Sequence, residues 1–582
     1  MNRTTNSIRN RPAGPFGRLA LALVAAALLS LAAAQSLAAL LPSETLLAVG
    51  VQDLNKHAAK IQPFIDEWQR LDLTNLLEQS SGEDVDTAMP AELQGLTIFD
   101  VLGDELWVSA SASSYSPLPA MTIVARVSDK AVAVMESAIA SEEPDADVQT
   151  LSEGRIEFKV YTNPDDETPL AFAQDGNFVA ISTNPDALRG VLRRYQGAAE
   201  PNFTDSKAYA ATLANISPAV VSFLIDLPGV VDVAKPFGQG MGFDQSIERV
   251  SKLFKTVGVV SSVVRLTSSG IETLSLQALG DRSLDPALYD LLTSTAGYPT
   301  TVLGFAPDGA LGVQANNLNL PGWWAYLDKL VAELPELGIG GLDSFVTDNL
   351  GIDLSQMLFS WMGAGAGAIT ISAPAAAEPG AMTGDLLGDS VYLLAVKDEA
   401  AAQAGLSQFL TMATMMASSF VDAEGVAGLV QPTTRSSFGV DVTSYSLDET
   451  MTIETAFAGG YLLIATTPSG MDAALAANST RRIGLAGALA PLQQGVPAGA
   501  ASMSLSNDQA SLRTLADTVL SQFGLVAGMA GSEDLDFAAV DEAGQALTEY
   551  VNFVADKFGG SFSYQVVDGG ALRGYALSQV AW

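Results

Sequence analysis

The chain repeats itself, and this self-similarity constrains the fold more than any other feature of the sequence. Residues 177–188 align without a gap with residues 460–471. Both stretches begin with an apolar run of β-type residues and continue through a polar residue into a proline, Pro185 in one and Pro468 in the other. A polar cap followed by proline begins a helix, because the missing proline N–H would have no partner in the first turn. The sequence therefore predicts a strand followed by a helix at the same place in two copies.

Other segments recur in the same order and extend the repeat over most of the chain. Each copy closes with two apolar strands joined by a short glycine-containing turn, at residues 257–278 and 560–578. Such turns join antiparallel strands. We therefore predict an α+β fold, with two tandem copies of a largely antiparallel sheet and helices packed on one face. The two copies are predicted to span residues 35–285 and 286–582, and each is of a size that one hydrophobic core can organise.

The N-terminus has the three parts of a secretory signal. Residues 1–18 carry four arginines and no acid, and an apolar stretch follows from Leu19 to Leu31. Ala32, Ala33 and Ala34 follow before Gln35 and fit the small-x-small rule for signal peptidase. We predict that residues 1–34 are a signal peptide.

Two alternatives to this cleavage site stay open. A second cut fits after Ala38, because small residues continue past Ala34. The N-terminus could also remain as an uncleaved anchor, since the 23 residues from Leu19 to Leu41 carry no charge and are long enough to span a bilayer. In every case the remainder is expected to be exported to the periplasm, the cell envelope or the outside. Membrane contact is expected only through an uncleaved N-terminus.

Charge and residue usage exclude several classes of protein. The formal net charge is −36, or −40 without the four arginines of the N-terminus, and such a field repels nucleic acids and anionic lipid surfaces. The chain contains no cysteine and a single histidine, His57. Thiolate nucleophiles and zinc sites are therefore excluded, and His57 lies between Lys56 and Lys60 in a setting typical of a solvated residue. We predict no catalytic residue, no cofactor and no metal.

Acidic residues do not form a recognisable site. Acidic clusters occur in four predicted loops, at residues 83–86, 142–147, 165–167 and 533–536. None has the spacing of the twelve-residue calcium loop, which needs glycine at its sixth position and a closing glutamate. Asp100, Asp104 and Asp353 suggest a carboxylate pair for hydrolysis, but carboxylates near a helix start are ordinary capping residues.

Trp323 and Trp324 are the candidate contact residues. They follow Pro321 and Gly322 at a predicted helix start. Adjacent helical residues cannot both face one core stripe, so one tryptophan is expected at an interface or a ligand pocket. The alternative is that the second ring lies under a neighbouring loop.

Two short motifs resemble a family of uncharacterised exported bacterial proteins that is known only as a domain of unknown function. Residues 41–49 read Leu-Pro-Ser-Glu-Thr-Leu-Leu-Ala-Val directly after the signal, and residues 351–354 read Gly-Ile-Asp-Leu before Trp361 and Gly363. The first copy departs from the second motif, with Thr97 where the acid is expected. The resemblance implies no activity and no functional residues.

The sequence favours a non-enzymatic protein of the envelope or periplasm with a binding or scaffolding role. Its partner would be an unknown envelope component or an apolar ligand. A carrier or sensor of a lipid-like ligand is the alternative, because a curved sheet covered by apolar helices can enclose a pocket. A carboxylate-based hydrolase is a third hypothesis.

Overall fold

A computed structural model describes most of the chain after residue 35. The described residues are 36–73, 76, 103–112, 119–128, 131–132, 146–163, 168–238, 244–294, 297–334, 338–372, 388–417, 432–446, 452–480, 484–515 and 537–582. The predicted signal peptide, Asp100 and the acidic clusters, apart from Ala146 and Asp147, lie outside the described residues. Among the described residues, no helix is both long enough and apolar enough to cross a bilayer.

The fold is a mixture of helices and antiparallel strands, as the α+β prediction requires. The strands of the first half are β1 (Thr45–Gln52), β2 (Glu105–Ser111), β3 (Ala120–Arg126), β4 (Asp147–Glu153), β5 (Ile156–Thr162), β6 (Leu170–Asp175), β7 (Phe178–Ser182), β8 (Val221–Asp226), β9 (Val259–Leu266) and β10 (Gly270–Ala278). The strands of the second half are β11 (Gly312–Asn316), β12 (Met362–Thr370), β13 (Ser390–Val396), β14 (Thr433–Ser437), β15 (Val440–Ser446), β16 (Thr452–Ala458), β17 (Tyr461–Ala465), β18 (Ser502–Ser506), β19 (Phe558–Asp568) and β20 (Ala571–Val580).

Helices connect these strands. The α-helices of the described residues are α1 (Ala58–Arg70), α2 (Pro185–Tyr195), α3 (Lys207–Ala211), α4 (Leu213–Ile216), α5 (Leu227–Gly238), α6 (Asp244–Val257), α7 (Pro286–Leu292), α8 (Leu320–Ala332), α9 (Leu342–Leu350), α10 (Glu399–Ala417), α11 (Pro468–Ser479), α12 (Ala490–Gln493) and α13 (Phe537–Lys557). Short 3-10 helices lie at Leu37–Leu40, Leu54–His57, Phe203–Asp205, Thr300–Phe305 and Gly487–Leu489, and a π-helical turn lies at Ser355–Phe359.

Each half of the sheet has the same order of neighbouring strands. The first half runs β4–β5–β6–β7–β3–β2–β1–β8–β9–β10. The second half runs β14–β15–β16–β17–β13–β12–β11–β18–β19–β20. Strands β10 and β20 then pair with each other from Gly270↔Gln579 to Ala278↔Ala571. The sequence predicts a sheet for each copy, whereas this pairing joins all twenty described strands into one sheet.

The helix starts that the repeat predicts are confirmed. The Asn184 side chain accepts hydrogen bonds from the backbone N–H groups of Asp186 and Ala187, and α2 begins at Pro185. In the second half the Thr467 hydroxyl accepts from the N–H of Gly470 at 3.0 Å. A polar side chain pairs an N–H that the helix leaves free in both cases.

The prediction that helices pack on one face of the sheet is wrong, because helices cover both faces. Leu393 of β13 is fully buried in a cluster with Met471 of α11. The next residue, Leu394, points to the opposite face. It packs against Ala402 of α10 and against Trp361, which directly precedes β12. Strands that are apolar at successive positions need cover on both sides, and β7, β13 and β17 are strands of this kind.

Glu105 is a buried carboxylate that ties the start of the folded chain to the sheet. Its side chain accepts hydrogen bonds from the Ser36 hydroxyl at 2.6 Å, the Gln52 amide at 2.9 Å and the Trp107 indole N–H at 2.9 Å. Its second oxygen accepts from the guanidinium of Arg126 at 3.1 Å. A buried charge is tolerated only when it is paired and hydrogen-bonded in this way.

Replacing Glu105 by alanine is expected to lower the free energy of unfolding by about 3 kcal/mol, because several donors lose their acceptor inside the protein. Urea unfolding monitored by circular dichroism measures the change. Glu157→Ala is the matched control, since Glu157 is an exposed carboxylate on β5 and surface changes cost about 0.5 kcal/mol or less. Equal effects of the two substitutions would contradict this account of Glu105.

Candidate functional site

The predicted contact residues lie in the first turns of α8 and face different neighbours. The Trp324 indole N–H donates to a carboxylate oxygen of Asp343 at 3.0 Å, and its ring stacks on Phe359 with 4.9 Å between centroids. The Trp323 ring meets Tyr326 edge to face at 6.3 Å. Both tryptophans are half-buried. Their rings diverge as adjacent helical positions require, and each already has an aromatic partner within this chain.

A polar cluster joins α6, α7 and α8 close to these tryptophans. The Arg249 guanidinium donates to Asp285 at 2.5 Å and to the Tyr326 hydroxyl at 3.3 Å, and Tyr326 donates to Asp285 at 2.9 Å. Asp285 also caps α7 by accepting from the N–H of Leu288. Arg249 Nε lies 2.6 Å from a carboxylate oxygen of Glu333, in an ion pair that lacks the alignment of a hydrogen bond. The cluster therefore connects a helix of the first half to two helices that lead into the second.

The acid–base properties of this cluster fit a structural role. Burial opposes ionisation of Asp285, but the hydrogen bonds from Arg249, Leu288 and Tyr326 outweigh it and hold the pKa of Asp285 below its ordinary value. Burial and the hydrogen bond to Asp285 raise the pKa of Tyr326 to about 12. A general acid or base works best with a pKa near the operating pH, and neither group meets that condition at neutral pH.

The substitution Asp285→Asn keeps the helix cap and removes the charge, so it tests this cluster. We expect a loss of about 3 kcal/mol in the free energy of unfolding at pH 7, because Arg249 loses its buried partner. The low pKa of folded Asp285 means that its charge stabilises the fold above pH 3.8 and stops doing so as the pH falls through the folded-state pKa. The difference between wild type and variant should therefore shrink in acid. Urea unfolding at pH 7 and pH 3 measures both effects.

Asp290→Asn is the matched control for this experiment. Asp290 lies on the same helix α7 and pairs with Arg282, but both side chains are more than half exposed. Exposed pairs contribute little to stability because water and salt screen them. A loss in the free energy of unfolding for Asp285→Asn that is as small as the loss for Asp290→Asn would contradict the structural role of Asp285. A loss of the same size at pH 7 and pH 3 would also contradict it.

An aromatic cluster joins the two halves at another place. Phe64 and Trp68 of α1 meet Phe553 and Tyr550 of α13 edge to face, with centroids 5.8 Å and 5.2 Å apart. Phe64 also contacts Trp582 at 6.4 Å. Here a helix of the first half contacts a helix of the second, as Arg249 of α6 does with Tyr326 of α8.

The sheet of the first half has an unusual distribution of buried residues. On the face that α2 covers, buried serine and threonine lie within the hydrophobic core, beside Trp107, Val124 and Leu224: Ser109, Thr122, Ser182, Ser222 and Ser261 are each at most 2% exposed. The opposite face is buried at one end, at Ala125, Phe172 and Val179, and elsewhere carries large aliphatic and aromatic side chains that are only partly buried. We call this second surface the apolar face, and it consists of Leu47, Val49, Val51, Leu106, Val108, Ile123, Ile181, Val221, Phe223, Ile225, Val260 and Val264. Soluble proteins usually bury such residues more completely than serine.

Strand register makes the apolar face continuous. In its middle row Ile181 pairs with Ile123, Ile123 with Val108, Val108 with Val49, and Val49 with Phe223. Cross-strand partners point to the same side of a sheet, so these five side chains form one line across five strands. At about 4.8 Å per strand the line is roughly 19 Å long. Val132 and its neighbours cover one end, where Ile181 and Leu106 pack against them.

The second half has the ordinary distribution at the matching positions. Its corresponding row is Ile464, Tyr392, Ala368, Gln314 and Ser504. Its opposite face is apolar and buried, at Val313, Ala315, Leu393, Met503 and Leu505. The two halves therefore differ at the β11 and β18 positions of this row, where Gln314 and Ser504 take the places of Val49 and Phe223.

Other residues that the sequence raises as candidates have ordinary roles. Asp353 caps a turn by accepting from the N–H of Gln356 at 2.8 Å, and exposed Asp104 accepts from Asn55 at 2.9 Å. Burial and the nearby charge of Lys60 lower the pKa of His57, so this histidine is neutral at pH 7. Among the described residues, no group of three acids or histidines is placed to hold a metal ion. Sequence reasoning missed the apolar face, although the alternation of large and small residues in β1 and β2 is visible in the sequence.

Comparisons with known proteins identify the family. The model of the family described as "Protein of unknown function (DUF3352)" matches residues 119–419, which is more than half of the chain. The chain belongs to this family, and the match runs from the start of β3 beyond α10. The family description assigns no activity.

Two solved structures are similar to this chain, crystal forms III and I of TP0453. They share 11% and 10% sequence identity with it, cover 45% and 46% of it, and each is itself covered to 88%. The TM-scores are 0.24 and 0.23, and a likeness of this degree carries no argument. None of the curated proteins matches the chain.

Proposed function

We propose that this chain is an exported, non-enzymatic envelope protein that binds an apolar ligand against the apolar face of its first half. The observation that carries the proposal is a continuous row of partly buried valine, isoleucine and phenylalanine side chains on the outer face of that half, where the second half carries Gln314 and Ser504. Contiguous exposed apolar surface is uncommon on soluble proteins and marks binding sites. An apolar molecule is the ligand that such a surface recognises.

The transfer free energy of its side chains favours a ligand bound on the apolar face. Each half-buried aliphatic side chain has on the order of 0.5 kcal/mol of transfer free energy still to gain from an apolar contact. Twelve such side chains together can hold a ligand that makes no ion pair. The high negative charge of the chain argues against an anionic membrane surface as the partner and favours a single neutral or weakly polar molecule.

The available chemistry supports a binding role over catalysis. The chain has no thiol and one histidine, and that histidine lies among lysines. The buried acid and tyrosine of the Arg249 cluster have pKa values far from neutrality. Among the described residues, the Arg249 cluster therefore offers no acid or base with a pKa near neutrality.

We propose also that the two halves are tandem copies of one unit, spanning residues 35–285 and 286–582. The shared order of ten strands and the matched helix starts at Pro185 and Pro468 support this. In this interpretation the first copy carries the ligand site, and the second copy, which has Gln314 and Ser504 in the matching row, supports it. The signal-like N-terminus supports a location outside the cytoplasm for this function.

The substitutions Val49→Gln and Phe223→Ser test the ligand site, because the second half carries Gln314 and Ser504 at the matching positions. We expect the double variant to bind a fluorescent long-chain alcohol, which is neutral, about fivefold more weakly, since two apolar contacts of about 0.5 kcal/mol each are lost. Titration by fluorescence measures the affinity, and urea unfolding checks the fold.

Tyr392→Ser is the matched control. Tyr392 is 47% exposed and occupies the position of Ile123 in the row of the second half. The control should leave the affinity unchanged. Absence of binding by the wild-type protein, or equal loss with Tyr392→Ser, would refute the proposed site.

A further inference from the structure

The row of side chains that crosses the apolar face changes character at its last strands. Phe223 on β8 lies opposite Ser262 on β9. Ser262 lies opposite Ser275 on β10, and Ser275 lies opposite Gly574 on β20. Because cross-strand partners point to the same side of a sheet, these residues prolong the line of Val49 and Phe223. One row therefore passes from apolar side chains to hydroxyl groups.

The two serine hydroxyl groups are accessible to a ligand. Both Ser262 and Ser275 are partly exposed. Neither hydroxyl pairs with another side chain or a backbone group among the residues that the structure describes. A serine hydroxyl can donate one hydrogen bond and accept others. The two serines can therefore pair with a polar group at the end of a molecule that lies along the row.

Gly574 leaves room for the hydroxyl of Ser275. A Cβ atom at position 574 would lie 2.2 Å from Ser275 Oγ, so this hydroxyl occupies the space that a side chain on β20 would take. The φ angle of Gly574 lies outside the left-handed region, so the backbone does not require glycine there. Glycine inside a strand marks places where another molecule or another backbone approaches closely.

The charged side chains of these strands lie on the other face. Arg265 and Glu272 occupy opposite positions of β9 and β10 and form an ion pair at 3.4 Å. Each is three residues from the serine of its own strand, and successive side chains alternate between faces, so this pair points away from the row. Arg573 precedes Gly574 and alternates in the same way. The strands β9, β10 and β20, which the structure describes in full, therefore place hydroxyl groups and no charge at the end of the row.

We propose that the ligand of the first half is an uncharged amphipathic molecule, a single-chain lipid whose head carries a hydroxyl group. This inference rests on the proposed function and names the class of its ligand. The apolar chain lies along the row from Ile181 to Phe223, which is roughly 19 Å long. The head lies at Ser262 and Ser275, where its hydroxyl exchanges hydrogen bonds with the two serines.

Fluorescence titration with two matched probes tests the inference. One probe is a fluorescent long-chain alcohol, and the other is the same chain with a methyl group in place of the hydroxyl. We expect the double variant Ser262→Ala, Ser275→Ala to bind the alcohol about fivefold more weakly than the wild type does, because a hydrogen bond to the head is lost. The same variant should bind the methyl-ended probe at least as tightly as the wild type does.

The outcomes separate this inference from the proposed function. If the double variant weakens both probes equally, or weakens neither, the head does not lie at the serines and the inference is wrong, while the apolar site stands. If the wild-type protein binds neither probe, the proposed function fails and the inference fails with it.

A third probe tests the charge of the head. The fluorescent fatty acid of the same chain length is a carboxylate at pH 7, and the serines offer it no counter-ion. We expect it to bind several-fold more weakly than the alcohol, because an ionised group is costly to remove from water without a partner. Binding as tight as that of the alcohol would overturn the assignment to an uncharged ligand.

Two further variants sharpen the test. Gly574→Ala forces the Ser275 hydroxyl to turn without removing it, and we expect the same selective loss of alcohol binding. Ser563→Ala is the matched control, because Ser563 lies opposite Ser504 in the second half as Ser262 lies opposite Phe223 in the first. The control should leave the affinity for each probe unchanged, and urea unfolding checks that every variant folds. A loss with Ser563→Ala as large as that of the serine pair would overturn the inference.

Discussion

The antiparallel pairing of β10 with β20 is the interaction on which the rest of the architecture depends. It joins the last strand of each half, and Leu274 lies opposite Tyr575 in the middle of the pairing. Leu274 packs against the core of the first half, while Tyr575 stacks on Tyr564, which packs against the core of the second. The two buried cores therefore lie on the same side of one continuous sheet. The Arg249 cluster and the aromatic cluster around Phe64 connect the halves again, through helices.

This arrangement explains why the two halves can differ without disturbing the fold. Strand order, the central pairing and the helix caps are common to both, so the outer face is free to vary. In the second half that face carries Gln314 and Ser504, as a solvated sheet would. In the first half Val49 and Phe223 occupy the matching positions. The difference between the halves is therefore located at a surface, where a binding function can change without loss of the core.

Several elements could be predicted from the sequence because local physics determines them. The helix starts at Pro185 and Pro468 follow from capping, and the closing hairpins follow from glycine in their turns. Observed hairpin strands β9–β10 and β19–β20 match the predicted ones to within a few residues. The membership in a family of unknown function was also visible in the motif at residues 351–354.

Other elements depend on distant parts of the chain and could not be predicted. The partner of β10 lies about 300 residues away, and no local pattern specifies it. Helices cover both faces of β13 and β17, and the local sequence does not show which face of the sheet each apolar helix packs on. The apolar face reverses the usual expectation, since alternation in β1 and β2 predicts that valine and leucine face the core and serine faces water. The contacts of Trp324 with Asp343 and Phe359 likewise depend on how separate helices pack, so the local sequence does not predict them.

The central claim is that the apolar face of the first half holds an apolar molecule in the native envelope. Native mass spectrometry of the protein purified without organic solvent from its own host tests this claim most directly. The account predicts a mass above that of the polypeptide by one discrete apolar molecule, which is released by organic solvent. A mass equal to that of the polypeptide alone, from a folded protein under the same gentle conditions, would contradict it.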